Sequence, residues 1–512
     1  MKDTKSGSEP TPGFSWKKLK HKIFGAPIAS KHAHSERLGP VVGLAVFSSD
    51  ALSSVAYATE AILSVLILHS VGALQQQFGL TIGIVVLICI VAWSYQQTIH
   101  AYPGGGGSYV VASENLGEVP GLVAGGALLI DYILTVSVSV AAGVAAIVSA
   151  QPHLHPLLVP MALGFVAIIA FANLRGVRES GAVFAVPTYG FVIGITVLLA
   201  VGIFKSIGNP IAEPVVAPDP QIGSHMAAPF LFLILRAFAA GCTALTGIEA
   251  VSNGVQAFRK PEARNATITL RWMSGILAVL FLGMGYISQH IPTLSLHSAV
   301  NPEYRTLLSQ VAAYAFGQNS FGFYAIQALT AAILVLAANT AFADFPRLAS
   351  LLARDGYLPR ALARQGDRLV FHNGILLLSV ASGLLIWHFH GELDQLLPLY
   401  AVGVFTAFTL SQVGMVRHWQ KERTSGWRQS AVINGIGAIL CFIVLLVIAI
   451  TKFTEGAWMV LVLVPIICVL FYAVKQRYRS ISKQLATIPA EKITKHYVIV
   501  TVPRYNAGIV RA

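Results

Sequence analysis

The chain has 512 residues, 55% of them hydrophobic and only 11% charged, with a mean hydropathy of +0.68. A soluble protein carries about 25% charged residues, so the bulk of this chain belongs in lipid. The net charge of +13 does not point to nucleic acid, because the basic residues gather on one side of the apolar spans, as the positive-inside rule requires.

The first 37 residues are polar and basic, with Lys17, Lys18, Lys20 and Lys22 ahead of any apolar run. A cleavable signal peptide needs its apolar region near the start, so 1–37 reads as a cytoplasmic N-terminal arm. Apolar windows of about 20 residues then predict twelve spans within a transporter domain of residues 38–476. The first six are Leu38–Ile67, Leu80–Ile99, Gly121–Ala150, Leu157–Ala172, Ala182–Phe204 and Pro229–Val255. The others are Thr269–Ile287, Phe321–Ala343, Gly374–Phe389, Leu396–Met415, Ala431–Ile450 and Trp458–Val474. Arg175, Arg178, Arg259, Lys260, Arg347, Arg360, Arg417 and Arg428 fall in loops on one side, whereas the other side has Lys205, Arg305 and Lys452. The expected protein is an all-α, multi-pass protein of the inner (plasma) membrane with both termini cytoplasmic. Residues 477–512 form a cytoplasmic tail, in which Tyr497–Val502 reads as a strand that would begin a cytosolic domain.

The first span carries Ser48, Ser49, Asp50, Ala51, Leu52, Ser53 and Ser54 at mid-membrane. A carboxylate there costs about 2.5–3.5 kcal/mol on insertion scales and needs water, a cation or a proton as partner. Serines that bond to local carbonyls compete with the helix ladder, so the helix is expected to open. The sixth span repeats the pattern with Gly241, Thr243, Thr246, Gly247 and Glu249. Two interrupted helices at corresponding places, one entered from each side, imply an inverted repeat of five plus five spans around a central site. Spans eleven and twelve, which carry no intramembrane carboxylate, would be an accessory pair.

Asp131, Thr135 and Ser139 recur every four residues in the third span and therefore share a helix face, with Tyr132 beside them. The plain reading of such a stripe is interhelical hydrogen bonding, but Asp131 turns it toward a cavity or a cation. Tyr57 lies two turns after Asp50 on the same face, and Thr246 shares a face with Glu249. Glu60 and Asp344, the latter near the cytoplasmic end of span eight, are secondary candidates, and Tyr400 lies in span ten.

Other patterns have simpler readings. The run from Tyr102 through Gly104, Gly105, Gly106 and Gly107 to Tyr109 lacks the ending and preceding strand of a phosphate loop, and reads as a tight turn, hinge or re-entrant loop. The pairs His153 with His155 and His388 with His390 lack further nearby ligands, so no transition-metal site is expected. Cys89, Cys242, Cys441 and Cys468 read as small core residues. No catalytic signature appears, and the chain reads as a non-enzyme without a cofactor.

Ala101-Tyr102-Pro103 followed by glycines, Tyr109 and Leu116-Gly117 resembles the amino acid–polyamine–organocation (APC) superfamily. More specific are Ser48 to Tyr57, Asp131 to Thr135, Ala244 to Ala250, and Leu399 to Phe405. These resemble bacterial KimA-type potassium importers of the KUP group across the whole membrane region. The resemblance implies a LeuT/APC-like fold and proton-coupled potassium uptake. By similarity, Asp50, Tyr57, Tyr132, Thr135, Ser139 and Thr246 would line potassium sites, Glu249 would couple protons, and Tyr400 would help close the pathway. A cytosolic C-terminal domain that helps form a homodimer is also implied.

Two further readings compete. An amino-acid or organic-cation (polyamine) permease of the same fold is the first, although Asp50 would repel a substrate carboxylate. A membrane scaffold or sensor without transport is the second, and it leaves the intramembrane acids unexplained.

Overall fold

In a bilayer every backbone N–H must find its partner within the protein, and helices satisfy that need segment by segment. The computed structural model describes residues 37–105, 107–175, 181–207, 215–216, 229–294, 305–366 and 370–486. Among these residues, eleven helices are long and apolar enough to cross a membrane. They match eleven of the predicted spans. The remaining one, the ninth, is His372–His388, with 17 residues, which at 1.5 Å per residue extends about 26 Å.

The regular spans are Gln77–Ala101, Glu118–Ala150, Leu158–Leu174, Gly181–Ser206, Glu262–Ser288, Phe321–Arg354, Leu393–Glu422, Trp427–Thr451 and Ala457–Ala486. Several outrun their apolar windows. The eighth continues past Ala343 because Leu348, Ala349, Leu352 and Ala353 bury one face after Asp344 and Arg347 have lowered the hydropathy. Asp344 therefore lies well inside this helix rather than near its end. The twelfth runs on to Ala486. The arm before Arg37 and the predicted strand Tyr497–Val502 lie outside the described residues.

The first span is broken as expected. Pro40–Phe47 and Ser49–Ser53 are followed by a 3-10 turn at Ser54–Ala56, and the helix restarts at Ala58–Ile67. Ser53 Oγ donates to the Asp50 carbonyl at 2.7 Å and Ser54 Oγ to that of Ala51 at 2.6 Å. Ser48 Oγ donates back to Leu44. Such back-bonding weakens the ladder at the place where it must open.

The sixth span runs Phe230–Gly241, turns through Cys242–Leu245, and resumes as Ala250–Asn253. Thr246 between them is extended (φ −62°, ψ 144°), and Gly247 has φ +81°.

Two short helices escaped the apolar windows. Ser108–Leu116 follows the glycine run, and Leu307–Phe316 lies between spans seven and eight. Gly105 turns with φ +91°, and a Cβ there would stand 3.1 Å from the Asn253 carbonyl. A Cβ on Gly107 would meet Asn253 Oδ1 at the same distance. The chain thus turns tightly from Tyr102 to Gly105, and Gly105 and Gly107 pack against the end of span six.

Burial orders the layers. The first span is buried from Gly43 to Ile67, whereas the apolar windows of the fourth and twelfth are only 22% buried. The first is therefore central, and the other two lie on the perimeter, where apolar side chains face lipid. The third span packs along both the eighth and the tenth, the second along the seventh, and Ser49–Ser53 against the eighth. Cys242 and Cys441 are buried as expected, but Cys89 is exposed on the apolar perimeter and is not a core residue. Val215–Val216 and Thr293–Leu294 form a two-residue parallel pairing.

Candidate functional site

The two breaks meet. Ser54 Oγ lies 3.4 Å from the Ala244 carbonyl, joining the unwound parts of spans one and six. Gly247 brings the main chain of span six onto that of span one: a Cβ added there would stand 2.8 Å from both Asp50 Oδ2 and the Ala51 nitrogen. Only glycine allows this backbone conformation and this proximity together.

Asp50 is 6% exposed and Glu249 4% exposed. Asp50 lies in the first turn of Ser49–Ser53, and Glu249 directly precedes Ala250–Asn253. The third span supplies Asp131, which is 2% exposed. These three carboxyl groups lie within one another's electrostatic reach, and Asp344 of span eight lies within reach of Asp50 and Glu249. Asp50 Oδ1, Asp131 Oδ1 and Glu249 Oε2 are buried without a hydrogen-bond partner. Buried acceptors are almost always paired, so three unpaired carboxylate oxygens around one crossing call for cations or protons. Asp344 differs, since Arg347 of its own helix lies 3.4 Å away.

Neutral oxygens complete the cluster. The Thr135 hydroxyl is within hydrogen-bonding distance of the Asp131 carbonyl (3.0 Å) and the Tyr400 hydroxyl (3.1 Å). Span ten can come this close because Gly403 packs on span three, where a Cβ would lie 3.3 Å from the Ala127 carbonyl. Tyr57, at the kink of span one, is buried close to Thr246. The Tyr132 hydroxyl accepts from Asn253 Nδ2 at 3.1 Å. Ser139 is buried farther along the same span. The fold thus gathers Asp50, Tyr57, Asp131, Tyr132, Thr135, Thr246, Glu249 and Tyr400 around the two breaks.

Glu60 is placed differently. Its carboxylate accepts from the Leu307 backbone N–H at 2.9 Å, outside the carboxyl cluster. Tyr95, Ser108 and Ser411 were not signalled by the sequence. Tyr95 stands beside Ser108 and Ser411 and in the field of Glu249, and the hydroxyls of all three are buried without a closed hydrogen bond. An aromatic or a serine inside an apolar window is ordinary, so only the fold reveals that they converge.

Two cavities open at the end of the bundle that carries the turn between spans eleven and twelve. The larger, about 250 Å³, reaches down to Thr243 and Ala401. At its mouth Glu455 pairs with Arg236 and accepts from Lys452 Nζ at 2.7 Å. Burial draws the Lys452 amino group below the usual lysine range, and Glu455 partly offsets the effect. The smaller, about 40 Å³, reaches Tyr57 and is lined by Glu60, Ser149 and Asp394. At the opposite end of the bundle, contacts join the span ends. Leu38 N–H donates to the Ala257 carbonyl at 2.8 Å, Arg37 pairs with Glu262, and Tyr109 donates to Asp355 at 2.5 Å.

Residues 43–472 match the family model described as "Amino acid permease". The chain is 46% identical over 485 residues to the potassium transporter KimA of Bacillus subtilis (strain 168), covering 95% of this chain and 78% of that protein. It is also 27% identical over 235 residues to a probable potassium transport system protein Kup of Xylella fastidiosa (strain Temecula1), covering 46% of this chain and 33% of that one. The corresponding Kup protein of strain 9a5c is 24% identical over 345 residues, or 65% and 50% of the two chains.

Proposed function

This chain belongs to the amino acid permease family, in the branch of the potassium transporter KimA, and from that premise we propose that it imports potassium by proton symport through alternating access. One observation carries the reading: three buried, unpaired carboxylate oxygens surround the crossing of two broken helices. Neutral hydroxyls and freed carbonyls supplemented by a carboxylate suit a large, weakly hydrated monovalent cation.

Asp50, Tyr57, Tyr132, Thr135, Ser139 and Thr246 line the ion's path in this reading, with Asp131 as a second carboxylate. Glu249 carries the proton. A proton on Glu249 leaves one fewer buried negative charge when a cation sits at Asp50, so the crossing closes most readily over both cargoes together and carries them inward as a pair. Tyr400, held beside Thr135, closes the pathway. The outer cavities serve entry, and the inner contacts part for release. The setting is a plasma membrane with cytoplasmic termini, and the activity is transport rather than catalysis, with potassium and protons as cargo.

The driving force is sufficient. Two positive charges moving inward at about −150 mV gain about 7 kcal/mol, enough for a potassium gradient of about five decades. An amino-acid substrate fits less well, since its carboxylate would meet Asp50.

The test is growth of a bacterium lacking its own potassium uptake on low potassium, followed by flux in proteoliposomes. Wild-type protein should restore growth and draw protons inward with potassium, and Glu249→Gln should abolish the proton movement. Unchanged proton movement in that variant would clear Glu249 of coupling, and accumulation of amino acids in place of potassium would overturn the cation reading.

A further inference from the structure

Serine and threonine hydroxyls inside a helix commonly bond to the carbonyl one turn back. Thr406 and Thr409 of span ten do so, donating to the Val402 and Phe405 carbonyls at 2.7 Å each. Ser411 of the same helix does not, although it is fully buried. Tyr95 of span two and Ser108, which begins the short helix Ser108–Leu116, are each 1% exposed, and their hydroxyls are unpaired as well.

Packing brings the three together. The Tyr95 and Phe408 rings meet edge to face, with centroids 5.4 Å apart. One turn beyond Ser411, Gly414 lies against the short helix, where a Cβ would stand 3.1 Å from the Val111 carbonyl. Phe408, Ser411 and Gly414 are spaced to share one face of span ten, as Ser108 and Val111 share one of the short helix. Ser411 therefore comes to the seam where spans two and ten meet the short helix, and Tyr95 stands beside both serines.

One end of this seam reaches Glu249. Tyr95 lies in the field of that carboxylate, whose Oε2 is itself unpaired. Asn253, whose N–H donates to the Glu249 carbonyl at 2.9 Å, abuts the residue before Ser108 through its Oδ1. The other end reaches the surface, where Pro103 and Gly104 of the glycine turn are exposed. Ser411 lies about 16 Å along span ten from Tyr400, well away from the Thr135 hydroxyl that Tyr400 meets.

We propose that Tyr95, with Ser108 and Ser411, relays the proton of Glu249 to the glycine turn along a branch separate from the ion's path. The inference rests on Glu249 as the proton carrier. The Glu249 O–H bond breaks and its proton goes to the Tyr95 oxygen, while the proton of Tyr95 passes to a serine hydroxyl. That serine gives its own proton to solvent water at the turn, and water bridges any gap wider than a hydrogen bond. The step ends with a Glu249 carboxylate, three intact hydroxyls and a hydrated proton outside the bundle.

The test compares two fluxes of the full chain in proteoliposomes. Net rubidium uptake driven by external acid requires Glu249 to lose its proton at each cycle. Exchange of internal potassium for external rubidium at equal concentrations, without a proton gradient, lets Glu249 keep it. Tyr95→Phe retains the ring against Phe408 and removes the hydroxyl, so the ratio of net uptake to exchange should fall at least tenfold, with proton entry falling in step. Damage to the fold would lower both fluxes together, and an unchanged ratio would overturn the relay.

If Tyr95→Phe carries out neither flux, Ser108→Ala with Ser411→Ala decides with Tyr95 in place. The ratio should then fall at least threefold, and an unchanged ratio or the loss of both fluxes would overturn the relay. Wild-type protein is measured first: rubidium uptake without proton entry there would remove the symport reading and the relay with it. Proton entry in wild type that Tyr95→Phe matches would remove the relay alone.

Discussion

Asp50 and Gly247 meet where the two broken helices cross, and they separate what a residue reveals in sequence from what it reveals only in contact. A carboxylate in an apolar span is conspicuous because lipid penalises it, so Asp50, Asp131 and Glu249 could be found by composition alone. Gly247 could not, because a glycine beside threonines has many explanations until Asp50 Oδ2 and the Ala51 nitrogen are seen 2.8 Å from its missing Cβ. Glu60 shows the opposite case, a conspicuous acid whose partner lies 247 residues away. Gly247→Ala must bear a left-handed backbone, at about 1–2 kcal/mol, in addition to a clash with main chain that cannot yield. The expected outcome is a lower thermal midpoint in detergent and a more than tenfold loss of uptake. Wild-type values for both would show that the two breaks are not held together here.

At the scale of elements, the bilayer makes prediction easy and then misleads. A helix that crosses lipid needs about 20 apolar residues, so the spans stand out from sequence. Helices that do not cross, such as Ser108–Leu116 and Leu307–Phe316, are too short and mixed to register. The eleventh span carries no carboxylate, yet it is tied to the bundle. Its Asn434 donates to Ser94 Oγ and Gln412 Oε1 at 2.7 Å each and accepts from Trp419 Nε1 at 2.9 Å. Ser94 also bonds Gln412, so buried polar groups tie spans two, ten and eleven together. Asn434→Leu strands several of these groups and should destabilise the protein by about 1–3 kcal/mol, toward the lower end if the unfolded chain in the membrane finds other partners. The check is thermal unfolding in detergent together with the KM for potassium, which should stay within about twofold. A large change in KM with unaltered stability would place the network in the transport path.

For the whole molecule, charge sets the orientation and the site sets the activity. The basic loops predict that Gly426, between spans ten and eleven, faces the cytoplasm, and that Phe453, between spans eleven and twelve, faces outside. Cysteines at these two positions, in cysteine-free protein, should be labelled by an impermeant reagent after permeabilisation and before it, respectively. The reverse pattern would invert the topology. The arrangement of spans was legible because it follows from solvent, but the identity of the cargo was not, because many cations would accept the same oxygens. Potassium enters through kinship with KimA, and the cluster around Asp50 must then justify it. The most direct measurement is radioactive rubidium uptake into proteoliposomes under an inside-negative potential, comparing wild type with Asp50→Asn. The account predicts accumulation that unlabelled potassium suppresses, unaffected by excess amino acids, and at least a hundredfold slower in the variant. Equal uptake by the two proteins, or suppression by amino acids rather than potassium, would contradict it.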